Sequence, residues 1–148
     1  MIFYKNNAYP DVDLHDCNFQ IKVVDNSIRF DFFEGFAVLT NGKYESSVKG
    51  MIQISDCLID EISICSVKPF NFLGIHRMKS RELSFKELNK IFQNGGCLQL
   101  FGEYYSYEQF IWKCAIYPYS TNKKYVKKYG EIEISAFTES PLEYYLEK

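Results

Sequence analysis

The residue types best equipped for chemistry lie in two places. His15, Asp16 and Cys17 set a base, a carboxylate and a thiol side by side, the groups that a Cys–His nucleophilic enzyme uses. Neighbours on an extended chain point to opposite faces, so alternation holds the His15 imidazole away from the Cys17 sulfur. A catalytic pair would need the other histidine, His76, and no spacing rule brings it there. The expectation is that Asp16 or His15 bonds backbone N–H groups at a strand entrance while Cys17 packs inward. No catalytic residue is assigned, and the reading leans away from an enzyme.

Asp11-Val12-Asp13 with Asp16 has the carboxylates of a calcium loop without its turn glycine or closing glutamate. The two histidines and five cysteines include no pair at zinc-ligand spacing. Neither a metal nor a cofactor is therefore expected. Glu103, Glu108, Glu131 and Glu133 fall on strands or turns, and nothing in their spacing aims two of them into one cleft for glycosidic chemistry. Asp11, Asp13, His15 and Asp16 are read instead as an exposed acidic contact surface for a protein partner.

The second place is Tyr119-Ser120-Thr121-Asn122 followed by Lys123-Lys124-Tyr125-Val126-Lys127-Lys128-Tyr129. Positive charge interleaved with aromatic rings is the recipe for single-strand nucleic-acid binding. A solvated basic loop is the plainer account of four lysines in six residues.

The elements that must carry these residues are mostly strands. Phe19, Ile21 and Val23 alternate with Asn18, Gln20 and Lys22, and Ile28, Phe30 and Phe32 alternate with Arg29 and Asp31 across the turn Asp25-Asn26-Ser27, which makes a hairpin. Gly35 marks a bulge. Asn41-Gly42 is a type I′ turn into a strand from Tyr44 to Cys57, with Val48, Gly50, Ile52 and Ile54 on one face. Another strand spans Ile59 to Val67, Lys68-Pro69 closes the meander, and 70–82 is read as a connection. Ser84 and Glu87 form a capping box with Leu83 and Leu88 as its staple, so one helix runs over about 84–94 and ends at Asn94-Gly95-Gly96. Cys97–Tyr105 and Glu108–Tyr117 make a second hairpin, Pro118 stops it, 119–129 is a loop, and Glu131–Phe137 is a last strand. Residues 1–16 are mostly loop, and the tail after Pro141 is a short helix or a docked extension.

The resulting class is mainly β, with some α+β character. Seven to eight antiparallel strands form a curved sheet, sandwich or partly open barrel, and one helix packs on it. With 148 residues, 47% hydrophobic and 18% aromatic, the chain reads as one domain, 1–148, without repeats or linkers. An odd set of five cysteines without a C-x-x-C pair fits a reducing compartment, and the start lacks a signal-peptide pattern, so the expected location is the cytoplasm. No apolar run approaches the roughly 20 residues of a membrane span.

Charge is unevenly laid out. Residues 1–66 carry five basic and ten acidic side chains, 67–130 eleven and four, and 131–148 one and five. The middle of the chain is a cationic block between two anionic ones.

Leu14-His15-Asp16-Cys17-Asn18-Phe19-Gln20-Ile21, followed by a hairpin and Ile28-Arg29-Phe30-Asp31, resembles the His-Asp, small-residue, alternating-strand opening of small bacterial cytoplasmic proteins, among them immunity proteins encoded beside polymorphic toxins. The likeness spans about the first 35 residues. It implies a toxin inhibitor acting by stoichiometric binding, without a reaction of its own. A net-negative N-terminal region would speed encounter with a basic toxin. The alternatives are a nucleic-acid or small-ligand-binding β-domain using 119–129 and a small hydrolase with a Cys/His site. Aromatic edge strands leave homo-oligomerisation open.

Overall fold

A computed structural model describes residues 2–5, 12–106, 109–137 and 140–147. In chain order its elements are β1 (Ile2–Lys5), β2 (Val12–Asp13), β3 (Asn18–Val24), β4 (Ser27–Thr40), β5 (Lys43–Ser55), β6 (Ile62–Phe72), β7 (Ile75–Glu82), α1 (Phe85–Gln93), β8 (Cys97–Ser106), β9 (Gln109–Tyr117), α2 (Tyr119–Tyr129), β10 (Glu131–Phe137) and β11 (Glu143–Leu146), with a 3-10 turn at Ile59–Glu61. The strands form one antiparallel sheet in the order β1-β11-β5-β4-β3-β8-β9-β10-β6-β7, and β2 pairs with β4.

Turn chemistry fixes the first registers. Asn41 and Gly42 both have positive φ, 52° and 75°, so the type I′ turn forms as its sequence demands and pairs Thr40 with Lys43. Gly35, at φ 88°, lies between the paired positions Phe32 and Phe36, where the β4–β5 register shifts. Strand β4 bends there.

β3 joins the two halves of the sheet. Its Asn18 and Phe19 pair with β8, while Gln20 to Val24 pair with β4. In a flat sheet β4 and β9 would lie about 14 Å apart, three strand spacings. Phe30 of β4 and Trp112 of β9 instead have ring centroids 4.8 Å apart, and Phe30 also meets Phe110. The sheet is therefore strongly bent about the β3–β8 junction, and Phe19, Phe30, Phe32, Phe110 and Trp112 fill the concavity. One apolar core results, and Leu88 and Ile91 of α1 belong to it.

Several expectations are corrected. Among the described residues there are eleven strands, more than the seven to eight expected, and two α-helices where one was expected. Residues 119–129 are α2 and not a loop: Asn122, Val126 and Tyr129 recur at helical spacing and turn inward, and Gly130, at φ 73°, closes the helix. Of the two alternatives for the tail after Pro141, the docked extension holds and the helix does not: it is a strand, β11, pairing with β1 and β5. Residues 2–5 and 12–13 are strands rather than loop.

The largest departure is at 70–82. This segment is the second half of a long hairpin, in which β6 runs through Pro69 to Phe72, turns at Leu73-Gly74, and returns as β7. Pro69 does not end the strand because β10 pairs with β6 only as far as Val67. A missing N–H on that side costs no ladder bond, which is where sheets tolerate proline.

Candidate functional site

The acidic entrance is a turn, not an extended run. Cys17 N–H donates to Leu14 O at 3.0 Å, Asp13 Oδ1 accepts His15 N–H at 3.0 Å, and Asp16 has φ 62°. Strand alternation is thus the wrong ground for separating His15 from Cys17. The outcome for chemistry is nevertheless unreactive: the Cys17 thiol is directed at the backbone oxygens of Asp13 and His15, at 3.8 and 3.7 Å. Burial, with the Asp13 and Glu103 carboxylates adding to it, pushes its thiol up to about 11. At neutral pH it remains a thiol, the poor nucleophile of the two forms. His15 Nδ1 sits 3.1 Å from Asp16 Oδ2 in solvent, and His76 is far along the chain on the exposed strand β7, opposite Asn71.

Asp13, His15, Asp16 and Glu34 line a shallow depression of about 280 Å³. Asp11 lies outside the described residues. Beneath the turn runs a polar relay: Trp112 Nε1–H donates to Tyr105 Oη at 3.0 Å, and Tyr105 O–H donates to Glu103 Oε1 at 2.6 Å. Burial raises the Glu103 carboxyl, opposed by the Tyr105 hydrogen bond. Burial also holds the Tyr105 phenol far above its ordinary range, so it stays a donor. Each donor on this path finds an acceptor, as a buried indole N–H requires.

The basic patch is arranged differently from its sequence reading. Lys123, Lys124, Lys127 and Lys128 are exposed along α2, and Tyr119 is exposed at its start. Tyr129 is buried and Tyr125 stacks on it, centroids 6.4 Å apart and nearly parallel. Lys124 and Lys128 place their Nζ atoms over those two rings, at 4.7 and 4.8 Å. The faces of Tyr125 and Tyr129 are thus already engaged, which leaves Tyr119 as the exposed ring of the patch beside a row of lysines.

The feature that sequence reading missed is the β6–β7 arm. Every residue of β7 is exposed, as are Lys68 to Phe72 of β6. Phe70, Phe72, Leu73, Ile75 and Met78 are five large apolar side chains on this one hairpin, and Leu73 is 86% exposed. Scattered exposed apolar residues are ordinary, whereas a contiguous group marks an interaction site, and Phe70, Phe72 and Ile75 share one face next to Leu73 at the tip. Leu73 also occupies a left-handed position, φ 50°, ahead of Gly74 at φ 76°. A type I′ turn prefers Asn or Gly there, and a γ-branched apolar residue is strained. Its signal was present in the sequence, since Arg77, Lys79 and Arg81 alternate with His76, Met78 and Ser80.

At its base the arm is braced on one side. Arg81 Nη2 meets Glu87 Oε1 at 3.1 Å and its guanidinium lies 5.7 Å from the Tyr129 ring centroid. Lys68 Nζ donates to Lys127 O at 2.6 Å, and Ser66 Oγ donates to Tyr129 O at 2.7 Å. Glu87 also caps α1 through Ser84, and the Arg81 bond, with these cap bonds, holds its carboxyl down at about 2.

No family model matches this chain, and neither a curated protein nor a solved structure does.

Proposed function

We propose that this chain is a non-catalytic protein-binding module that engages its partner with the β6–β7 arm. The observation that carries this reading is Leu73, a residue at odds with its environment twice, apolar in solvent and bulky in a left-handed turn. Such local violations collect at functional positions, where the surrounding structure over-determines a conformation that the residue itself disfavours. Inserted into an apolar pocket, Leu73 and its neighbours Phe72 and Ile75 become the buried centre of an interface, with Lys68, Arg77 and Lys79 around them. A standard interface needs roughly 800 Å² from each side, within reach of a hairpin that exposes its whole length.

The finer proposal follows the N-terminal resemblance. The partner is a toxin encoded beside this gene, and the module inhibits it by stoichiometric occupation. The test is titration of the neighbouring gene's product with the intact chain and with the Phe72→Ser/Leu73→Asn variant, read by calorimetry and by toxin activity. A one-to-one complex that inhibits the toxin, weakened at least about tenfold by the variant, is the expected result. A neighbouring product that neither binds nor loses activity removes the toxin, and equal binding by the variant removes the arm.

A further inference from the structure

The two faces of the arm are chemically different. Residues directly opposite one another in an antiparallel pair share a face. Lys68/Lys79, Phe70/Arg77 and Phe72/Ile75 therefore lie on one side, continuing the side on which Ser66/Arg81 meet α2. Pro69/Met78, Asn71/His76 and Val67/Ser80 lie on the other. Every lysine and arginine of the arm is on the first face, which carries no carboxylate beyond Ser66. At the base of the sheet, Glu82 pairs with Cys65 and Glu131 with Val67, so these acids belong to the opposite face. Lys68 directly opposite Lys79 is a repulsive arrangement within the hairpin, and Arg77 and Lys79 form no ion pair among the described residues.

The outer edge of β7 is equally specific. Among the described residues β7 pairs with β6 alone and ends the sheet. The two-residue turn makes Phe72/Ile75 a hydrogen-bonded pair, so the bonded pairs continue as Phe70/Arg77 and Lys68/Lys79. The intervening pair Pro69/Met78 is non-bonded, consistent with proline's missing N–H. His76, Met78 and Ser80 therefore turn their backbone N–H and C=O groups outward, along an open edge.

We infer that β7 accepts an extended acidic segment of a protein partner as an added strand, with carboxylates at alternate positions facing Arg77 and Lys79. The inference rests on the arm being the contact element. Backbone pairing along His76, Met78 and Ser80 supplies the attachment, and same-face side chains recur about every 6.7 Å, the spacing at which an alternating acidic sequence meets the cations. A second copy of this chain does not fit: antiparallel β7–β7 pairing places cation against cation.

The test uses the intact chain and fluorescence anisotropy. The probes are a labelled octapeptide alternating glutamate with threonine, its lysine-for-glutamate counterpart, two versions of the glutamate peptide N-methylated on alternate residues, one in each register, and an oligothymidine. The glutamate peptide should bind, and both the lysine peptide and the N-methylated peptide of matching register should bind at least about tenfold more weakly. The Arg77→Glu/Lys79→Glu variant, checked for an unchanged Trp112 emission, should reverse the preference between the two charged peptides. Equal binding of the N-methylated peptides in both registers removes strand addition. Preference for oligothymidine makes the cationic face a nucleic-acid surface and overturns the inference. Absence of peptide binding also overturns it, and the reading of the arm as the contact element still stands if Phe72→Ser/Leu73→Asn weakens the toxin complex.

Discussion

Removing one oxygen from the relay beneath the acidic turn should reveal how firmly the β8–β9 hairpin is tied. In Tyr105→Phe the ring remains and the hydroxyl goes, leaving Trp112 Nε1–H, in a side chain that is fully buried, without its acceptor. A buried donor stripped of its partner costs about 1–3 kcal/mol, and a lost hydrogen bond to a carboxylate about 1.5–3 kcal/mol. Glu103 is only partly buried, so water recovers some of the second loss and the sum is roughly 3 kcal/mol. Trp112 is the only tryptophan, which makes its fluorescence a local probe during urea unfolding. With m of roughly 1–3 kcal/mol/M, the midpoint should fall by about 1–3 M.

The companion variant Glu103→Gln keeps an acceptor for Tyr105 and removes the charge. Because the folded Glu103 pKa is raised, the native state holds this proton more tightly than the unfolded chain, and the wild type loses stability as pH rises through that window. Glu103→Gln should gain on the wild type from acid to neutral pH. A Tyr105→Phe loss below about 1 kcal/mol would refute the reasoning, because it would mean that the indole is satisfied elsewhere.

Three further outcomes follow from the geometry. Leu73→Asn should relieve left-handed strain of about 1 kcal/mol, read as slower amide exchange at the arm tip, while weakening the partner complex; faster exchange counts against the strain argument. Gly50→Ala places a Cβ 2.5 Å from Tyr145 O and 3.0 Å from the Phe36 ring, so it should destabilise the chain by about 1–3 kcal/mol in urea, and a neutral result would contradict this packing. Glu87→Gln should cost no more than about 1 kcal/mol at pH 6, given the solvent around the Arg81 pair. Since Glu87 is held down at about 2, that difference should shrink as pH falls from about 4.5 toward 2, and a pH-independent difference would point to the cap rather than the charge.

Local chemistry made much of the fold legible. Asn41-Gly42, the Ser84/Glu87 box and the alternation of Glu131–Phe137 specify their elements through backbone needs that sequence states directly. The remaining strands depend on relations between distant segments. Pro69 signals an end unless one knows that β10 stops pairing at Val67, and β11 is a strand because β5 and β1 flank it. In α2, polar Ser120, Thr121 and Asn122 imitate a turn, yet Asn122 is buried, its Nδ2–H donating to Pro118 O at 3.0 Å. The candidate site was obscured by sign: carboxylates near a His-Asp pair drew attention, while the cations of the arm are spread over a segment that looks like linker.

The arm beyond Val67 contributes nothing to the core, for Lys68 to Glu82 are exposed throughout the two strands and their turn. On the proposed reading of the arm as the contact element, selection can rewrite what is recognised without renegotiating how the chain folds. Substitutions at Phe70, Phe72, Leu73 or Arg77 would then fall almost wholly on that contact, whereas a change at Phe30 or Trp112, both in the core, is filtered first by stability. In a lineage chasing a changing partner, sequence divergence should concentrate in this hairpin and spare the aromatic concavity, and exchanging the hairpin between two such proteins should exchange their partners.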